Sequence, residues 1–176
     1  MASTKTIWTI GHSSHTFEEL VAMLQSFDIQ AVADVRRFPG SRKFPWFNKD
    51  SLAVTLPDVG IEYHHFVHLG GRRRPLKDSH NDAWRLDAFK GYADYMETPE
   101  FVEALKQLEK LASLKRTVFM CSEAVWWSCH RSMVSDALKH AGWNVQHIMG
   151  VGKSTEHPYT SPARIEHGEL VYSKKS

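Results

Sequence analysis

Only two cysteines occur in 176 residues. That is too few for a disulfide framework, so an apolar core must hold the chain together. No apolar run approaches the roughly 20 residues that a membrane helix needs, and no membrane partner is expected. Neither sign of charge dominates: 22 Lys and Arg stand against 20 Asp and Glu, a formal net charge of +2. This balance disfavours a long nucleic-acid track and leaves room for a local anion site. Internal repeats, low-complexity stretches and linker-like segments are absent, so a single domain over residues 1–176 is expected. The opening MASTKTIWTI lacks the apolar stretch of a signal peptide, which points to a cytoplasmic setting with reduced thiols.

What is present is an alternation of strand-like and helix-like segments. Lys5–Ile10 is rich in β-branched and aromatic residues and reads as a buried strand. Thr16 and Glu19 form a T-x-x-E capping box, with Phe17, Leu20, Val21 and Leu24 at helical spacing behind it. Further strands are expected at Ala31–Val35, Gly60–Phe66, Thr117–Cys121 and Val145–Met149. Helices are expected over 49–56, ending near Pro57, over 84–96, and after Thr98 with Pro99 at the first position. A last helix should start at Ser128, carry the stripe Met133, Val134, Ala137, Leu138 and Ala141, and stop at Gly142. A short C-terminal hairpin should turn at His167-Gly168. The whole predicts an α/β fold: a mainly parallel sheet with helices on both faces.

In such folds ligands bind beyond the carboxyl ends of the strands. Here the first strand runs into Gly11-His12-Ser13-Ser14 and the second into Asp34-Val35-Arg36-Arg37-Phe38-Pro39-Gly40-Ser41-Arg42. The third leads to His68-Leu69-Gly70-Gly71-Arg72-Arg73-Arg74. The fourth leads to Cys121-Ser122-Glu123 and then Cys129-His130-Arg131. These ionisable and glycine-rich loops should meet at one sheet edge. A thiol at Cys129, in the first turn of a helix and beside His130 and Arg131, would be favoured as thiolate. The same helix start would also bind an anion without thiol chemistry, and the plainest alternative makes both cysteines small buried hydrophobes.

Other signals are weaker. Gly150-Val151-Gly152-Lys153-Ser154-Thr155 has a phosphate-loop flavour, but His147 stands where a Walker loop needs glycine, and Pro158 and Pro162 oppose a following helix. His64 and His65 would point to opposite faces of a strand. His12, His130 and one carboxylate could form a three-ligand metal site, although no metal-ligand spacing motif requires one. Arg36, Arg37, Arg42, Lys43 and Arg72–Arg74, with Trp46, Phe47, Trp126 and Trp127 as stacking faces, suit a nucleotide or single-stranded nucleic acid.

Five motifs occur in order: I-G-H-S, D-V-R-x-x-P-x-S, G-I-x-Y before L-G-G, Y-x-x-Y-M, and C-S-E-x(5)-C-H-R. Together, over about residues 7–150, they resemble the family called domain of unknown function 488. The resemblance implies a compact α/β domain whose site includes His12, Ser13, Asp34, Arg36, Ser41, Glu123, Cys129, His130 and Arg131. It implies no particular reaction. The Arg72–Arg74 run and the Trp126-Trp127 pair fall outside the pattern.

Two functions fit these residues. One is an enzyme acting on an anionic small molecule, a nucleotide or a nucleic-acid component. Arg36 and Arg131 would bind the anion, Glu123 or His130 would move protons, Cys129 would be a nucleophile, and Asp34 would orient an Arg or a His. The other is a non-catalytic module for nucleic acid or a phosphorylated ligand. Asp34 and Arg36 have a purely structural alternative, a buried pair that ties loops together. Neither the identity of a cofactor nor the oligomeric state follows from the residues.

Overall fold

The computed structural model describes residues 5–174; residues 1–4 of the N-terminal segment read above lie outside them. In chain order the elements are β1 (Thr6–Gly11), α1 (Phe17–Ser26), β2 (Ala31–Asp34), α2 (Lys49–Asp58) and β3 (Glu62–His65). There follow α3 (Asp87–Tyr95), α4 (Pro99–Leu114), β4 (Thr117–Cys121), α5 (Arg131–His140), β5 (Asn144–Gly150) and β6 (Lys153–Glu156). A hairpin of β7 (Arg164–Glu166) and β8 (Glu169–Val171) closes the chain.

Six strands form one sheet in the order β3-β2-β4-β1-β5-β6, parallel except for β6, which runs antiparallel to β5. The expected α/β class, parallel sheet and terminal hairpin are all present. The thin strands depend on two buried faces. Leu20, Met23 and Leu24 of α1 and Leu52 and Leu56 of α2 pack on one face, against Trp8, Ile10, Val32, Val118 and Met120. Phe101, Ala104 and Leu108 of α4 and Met133, Val134, Ala137 and Leu138 of α5 pack on the other, against Ile7, Ala33, Val35 and Phe119. Each large aliphatic side chain so buried contributes about 1.5–3 kcal/mol.

Local chemistry sets several boundaries. The Thr16 hydroxyl accepts from the Glu19 amide and the Glu19 carboxylate accepts from the Thr16 amide, the reciprocal box expected at the start of α1. His167 and Gly168, at φ 52° and 78°, make the hairpin turn. Pro57 does not stop α2: it lies in the last turn, where one lost amide donor is tolerated, and the helix ends at Asp58.

The 150–155 stretch, already unlike a phosphate loop in sequence, forms the β5–β6 hairpin, with Gly152 at φ 68° in its turn. Its polar sequence hid an edge strand. One expectation needs correction. Ser128 does not cap the last helix. Trp126–Ser128 is a single 3-10 turn, Cys129 is extended (φ −146°, ψ 174°), and α5 begins at Arg131 with His130 as its cap residue. Trp126 is held by stacking on His147, with ring centroids 4.8 Å apart and planes 3° from parallel, and this keeps the turn out of the helix.

The topology decides where a cleft opens. β1 and β4 are neighbours, with Gly11 opposite Cys121. The chain leaves β1 for a helix on one face and leaves β4 for a helix on the other. Diverging loops at such a switch point leave a crevice above the strand ends.

Candidate functional site

A cleft of about 1070 Å3 occupies this crevice. Loops from all four expected strand ends reach it: His12 and Ser13, Arg36 and Ser41, Gly71 and Arg72, and Cys121 to His130. The loops after β1 and β4 continue the sheet's pairing, with the His12 amide donating to the Cys121 carbonyl and the Ser13 amide to the Ser122 carbonyl, both at 2.9 Å. Gly11 is required by close approach: a Cβ there would lie 1.6 Å from the Glu123 carbonyl oxygen.

The long 66–86 loop is held over the cleft by the helix after it. Tyr92 Oη donates to the Leu69 carbonyl (2.7 Å) and Tyr95 Oη to the His68 carbonyl (2.6 Å). Asp94 accepts from the Leu76 amide, the Ser79 hydroxyl and the Asn81 amide group. The Y-x-x-Y-M motif is therefore an anchor for the Gly70-Gly71-Arg72 turn.

One wall is a closed polar assembly. Arg36 forks onto Asp34, Nε to Oδ1 at 2.9 Å and Nη2 to Oδ2 at 2.7 Å. Nη2 also donates to the Phe47 carbonyl at 2.7 Å and Nη1 to His12 Nε2 at 3.2 Å, so four of the five guanidinium N–H groups are taken. Asp34 is fully buried and takes a further bond from Tyr63 Oη at 2.5 Å. The structural alternative for this pair is thus the arrangement present: it ties the 36–47 loop to the sheet. His12 donates from Nδ1 to the Ser13 carbonyl and lies flat on Phe47. Burial lowers its pKa to about 4, so it is neutral and both nitrogens are spent. The Ser41 hydroxyl accepts from the Phe44 amide and shapes the same loop.

The floor is formed by Cys121, Cys129 and His130, with Arg131 beneath them. His130 donates from Nε2 to the Val35 carbonyl (2.7 Å), and burial lowers its pKa to about 4. It is a weak base at neutral pH and mainly pins the start of α5 to β2. Expected as an anion-binding side chain, Arg131 is instead 1% exposed and absent from the cleft lining. Its Nη1 donates to Thr9 Oγ1 (3.2 Å) and its Nη2 to the Glu123 carbonyl (3.0 Å), which fixes the 122–124 loop. No carboxylate among the described residues pairs with it.

Cys129 lines the cleft, and its Sγ accepts the Arg131 amide at 3.4 Å, so the first amide of α5 faces sulfur after all. Its neighbour is Cys121, with the sulfurs 2.8 Å apart. The thiol of Cys129 is shifted below its ordinary pKa, first by the hydrogen bond from Cys121 and then, against burial, by the Arg131 charge. Cys121 is shifted well above it by burial. Of the two thiols, Cys129 is therefore the one favoured as thiolate. Glu123 is exposed in the cleft wall and its carboxylate makes no ion pair among the described residues.

Part of the basic rim expected from the sequence lies around these, without Arg42, Arg73 or Arg74. Arg37, Lys43 and Arg72 line the cleft beside the Asp34-paired Arg36, with the guanidinium groups of Arg37 and Arg72 5.4 and 5.6 Å from the Phe38 ring. Of the four aromatics expected as stacking faces, only Trp127 lines the cleft, at 58% exposure. Phe47 is fully buried, Trp126 stacks on His147, and Trp46 donates to the His15 carbonyl. Arg73 lies over the Tyr95 ring at 3.6 Å instead of joining the rim. His12 and His130 spend nitrogens on Ser13, Arg36 and Val35, so the three-ligand metal arrangement does not form. Among the described residues no group of three His, Cys, Asp or Glu is placed to hold a metal.

Behind Arg131 runs a buried hydrogen-bonded chain. Thr9 Oγ1, which accepts from Arg131, donates to His147 Nδ1 (2.6 Å). His147 Nε2 donates to His157 Nδ1 (2.8 Å), and His157 Nε2 donates to Asp136 Oδ1 (2.8 Å). Asp136 is completed by the Thr160 amide and hydroxyl and by Tyr172 Oη. Burial lowers the His147 pKa to about 2, consistent with a neutral ring that donates on one side and accepts on the other. A buried cation is thereby linked to a buried anion through dipoles of one direction. The signal in the sequence was a polar residue in each of three apolar stretches: Thr9 and His147 in strands, Asp136 on the core stripe of α5.

No helix among the described residues is long and apolar enough to cross a membrane. The family model described as domain of unknown function DUF488 matches residues 16–138. No curated protein and no solved structure matches the chain.

Proposed function

We propose, for a chain that belongs to the DUF488 family, a thiol-dependent enzyme acting on an anionic substrate of the nucleotide class. The observation that carries this reading is the Cys129 sulfur at the cleft floor, with a buried guanidinium behind it that has no carboxylate partner. A buried cation without a counter-ion stabilises an anion placed beside it. The Cys129 thiol feels that charge and gives up its proton more readily than an ordinary cysteine.

Arg37, Lys43 and Arg72 would receive the substrate's negative group at the rim, and Phe38 and Trp127 would offer faces to a base. Glu123 is the group free to move a proton in the cleft. Arg36, Asp34, His12, Ser13 and Ser41 hold the walls. Arg131 acts on Cys129 from behind, and His130 pins the start of α5 through Val35. The same rim also suits a non-catalytic module for nucleic acid or a phosphorylated ligand, which needs no reactive thiol.

The test is iodoacetamide alkylation of Cys121→Ser against pH, which leaves Cys129 as the single thiol and keeps a hydroxyl donor beside it. The expected midpoint lies below the roughly 8.5 of a free cysteine. A nucleoside monophosphate should protect the thiol more than the uncharged nucleoside does. An ordinary midpoint overturns the catalytic reading, and protection with an ordinary midpoint selects the binding module.

A further inference from the structure

Cys121 has no role in that reading beyond its contact with Cys129, yet its placement is specific. It ends β4 at 2% exposure, anchored in the sheet opposite Gly11. Cys129 returns to it across the 122–128 loop, and the two sulfurs stand 2.8 Å apart. A disulfide bond is roughly 2.05 Å long, so closing the pair needs a movement of under about 1 Å. Cys129 lies on extended backbone between a 3-10 turn and α5, where a side-chain rotation can supply that movement without unfolding either element. Both residues line the cleft, but Cys121 is buried at 2% exposure whereas Cys129 is partly exposed.

We infer that Cys121 and Cys129 act as a dithiol that is oxidised by hydroperoxides, with Cys129 attacked first and Cys121 closing the disulfide. The first step forms a bond from the Cys129 thiolate sulfur to the distal oxygen of ROOH and breaks the O–O bond. RO⁻ leaves and takes a proton from water as ROH, and Cys129 becomes a sulfenic acid. In the second step the Cys121 sulfur attacks the Cys129 sulfur. The S–S bond forms, the S–O bond breaks, and the hydroxide leaves as water with the proton that Cys121 gives up. The two thiols together lose two electrons and two hydrogens. A dithiol reductant reverses the change by thiol–disulfide exchange.

The order of events follows from the geometry. Oxidant arriving through the cleft meets Cys129, and the Arg131 amide and guanidinium favour its thiolate. Cys121, at 2% exposure, is the less accessible thiol, and it is already in contact when the sulfenic acid forms, which shields that acid from further oxidation. The inference rests on the Cys129 reactivity proposed above and would couple that site to the oxidant load around it.

The experiment exposes the wild-type chain to hydrogen peroxide and reads intact mass and peptide maps. Wild type should lose the mass of two hydrogens, show a Cys121–Cys129 linked peptide, and lose alkylation at Cys129. Dithiothreitol should restore both. Cys121→Ser should instead gain oxygen at Cys129 and progress to the sulfinic acid, which dithiothreitol does not reverse. A Cys129 that alkylates readily but gains oxygen in wild type as it does in Cys121→Ser overturns the dithiol and leaves the proposed function standing. A disulfide that forms while Cys129 shows an ordinary alkylation midpoint supports the dithiol and removes the proposed function. No mass change in either protein overturns the dithiol, with circular dichroism confirming that both are folded.

Discussion

His157 donates from Nε2 to Asp136 at 2.8 Å with both side chains fully enclosed, some distance along the chain from the residues that line the cleft. The contact ends the chain of bonds that begins at Arg131, so it belongs to the site energetically although it is not part of its surface. Removing one member leaves a buried group without its partner. Asp136→Asn is expected to lower unfolding free energy by about 3 kcal/mol, read from the urea midpoint at constant slope. A change under about 0.5 kcal/mol would show that the chain carries no structural weight.

Thr9→Val tests the same chain with less disturbance, because the replacement keeps the shape and deletes the hydroxyl. Arg131 Nη1 then loses its acceptor and His147 Nδ1 its donor. Stability should fall by about 1–3 kcal/mol. In the Cys121→Ser background the Cys129 alkylation midpoint should move upward, and Thr9→Ser should restore it. An unmoved midpoint with the same loss of stability would confine Thr9 to holding the fold.

Gly11→Ala addresses the loop contact. Its new Cβ would overlap the Glu123 carbonyl oxygen, an acceptor for Arg131, so the 122–124 loop must shift. The expected cost is about 1–3 kcal/mol, with Cys129 alkylation slowed at neutral pH. A variant with both thermal midpoint and alkylation rate unchanged would mean that the loop relocates freely.

The histidines set a pH dependence. His12 and His130 have folded pKa values lowered from 6.5 to about 4 by burial, so the unfolded chain binds protons that the folded chain refuses. Their contribution is fully present above about pH 6.5 and declines as pH falls toward about 4. Denaturant midpoints should therefore drop across that window. His130→Gln should show a shallower drop than wild type, alongside a lower plateau from the lost bond to Val35. Parallel curves would assign the acid sensitivity elsewhere.

Much of the architecture was legible because it depends on short-range rules. The capping box at Thr16, Pro99 behind Thr98, and the alternation of β-branched strands with amphipathic helices specify a parallel sheet by local propensity and periodicity alone. The strand-end rule then indicated where a site should lie, and the residues of C-S-E-x(5)-C-H-R and D-V-R-x-x-P-x-S do converge there. The start of α5 was misplaced because a stacking contact between Trp126 and His147, distant in sequence, outweighs the capping preference of Ser128.

Side-chain roles were not legible, and the reason is directional. A sequence places Arg36 and Arg131 at the correct sheet edge but does not say where their N–H groups point. Both point inward, Arg36 to Asp34 and Phe47, Arg131 to Thr9 and Glu123, because a buried guanidinium turns its donors to the acceptors the fold brings near, although Arg131 Nε is left without one. Arg37, Lys43 and Arg72 are left to line the cleft. The sequence by itself determined the elements, their layering and the end of the sheet where polar groups gather. The tertiary structure alone decided which cations are buried and which face the cleft. It also decided that Cys121 meets Cys129, and that Asp136 is joined to Arg131, since those contacts depend on strand order and on hydrogen bonds between residues up to 138 positions apart.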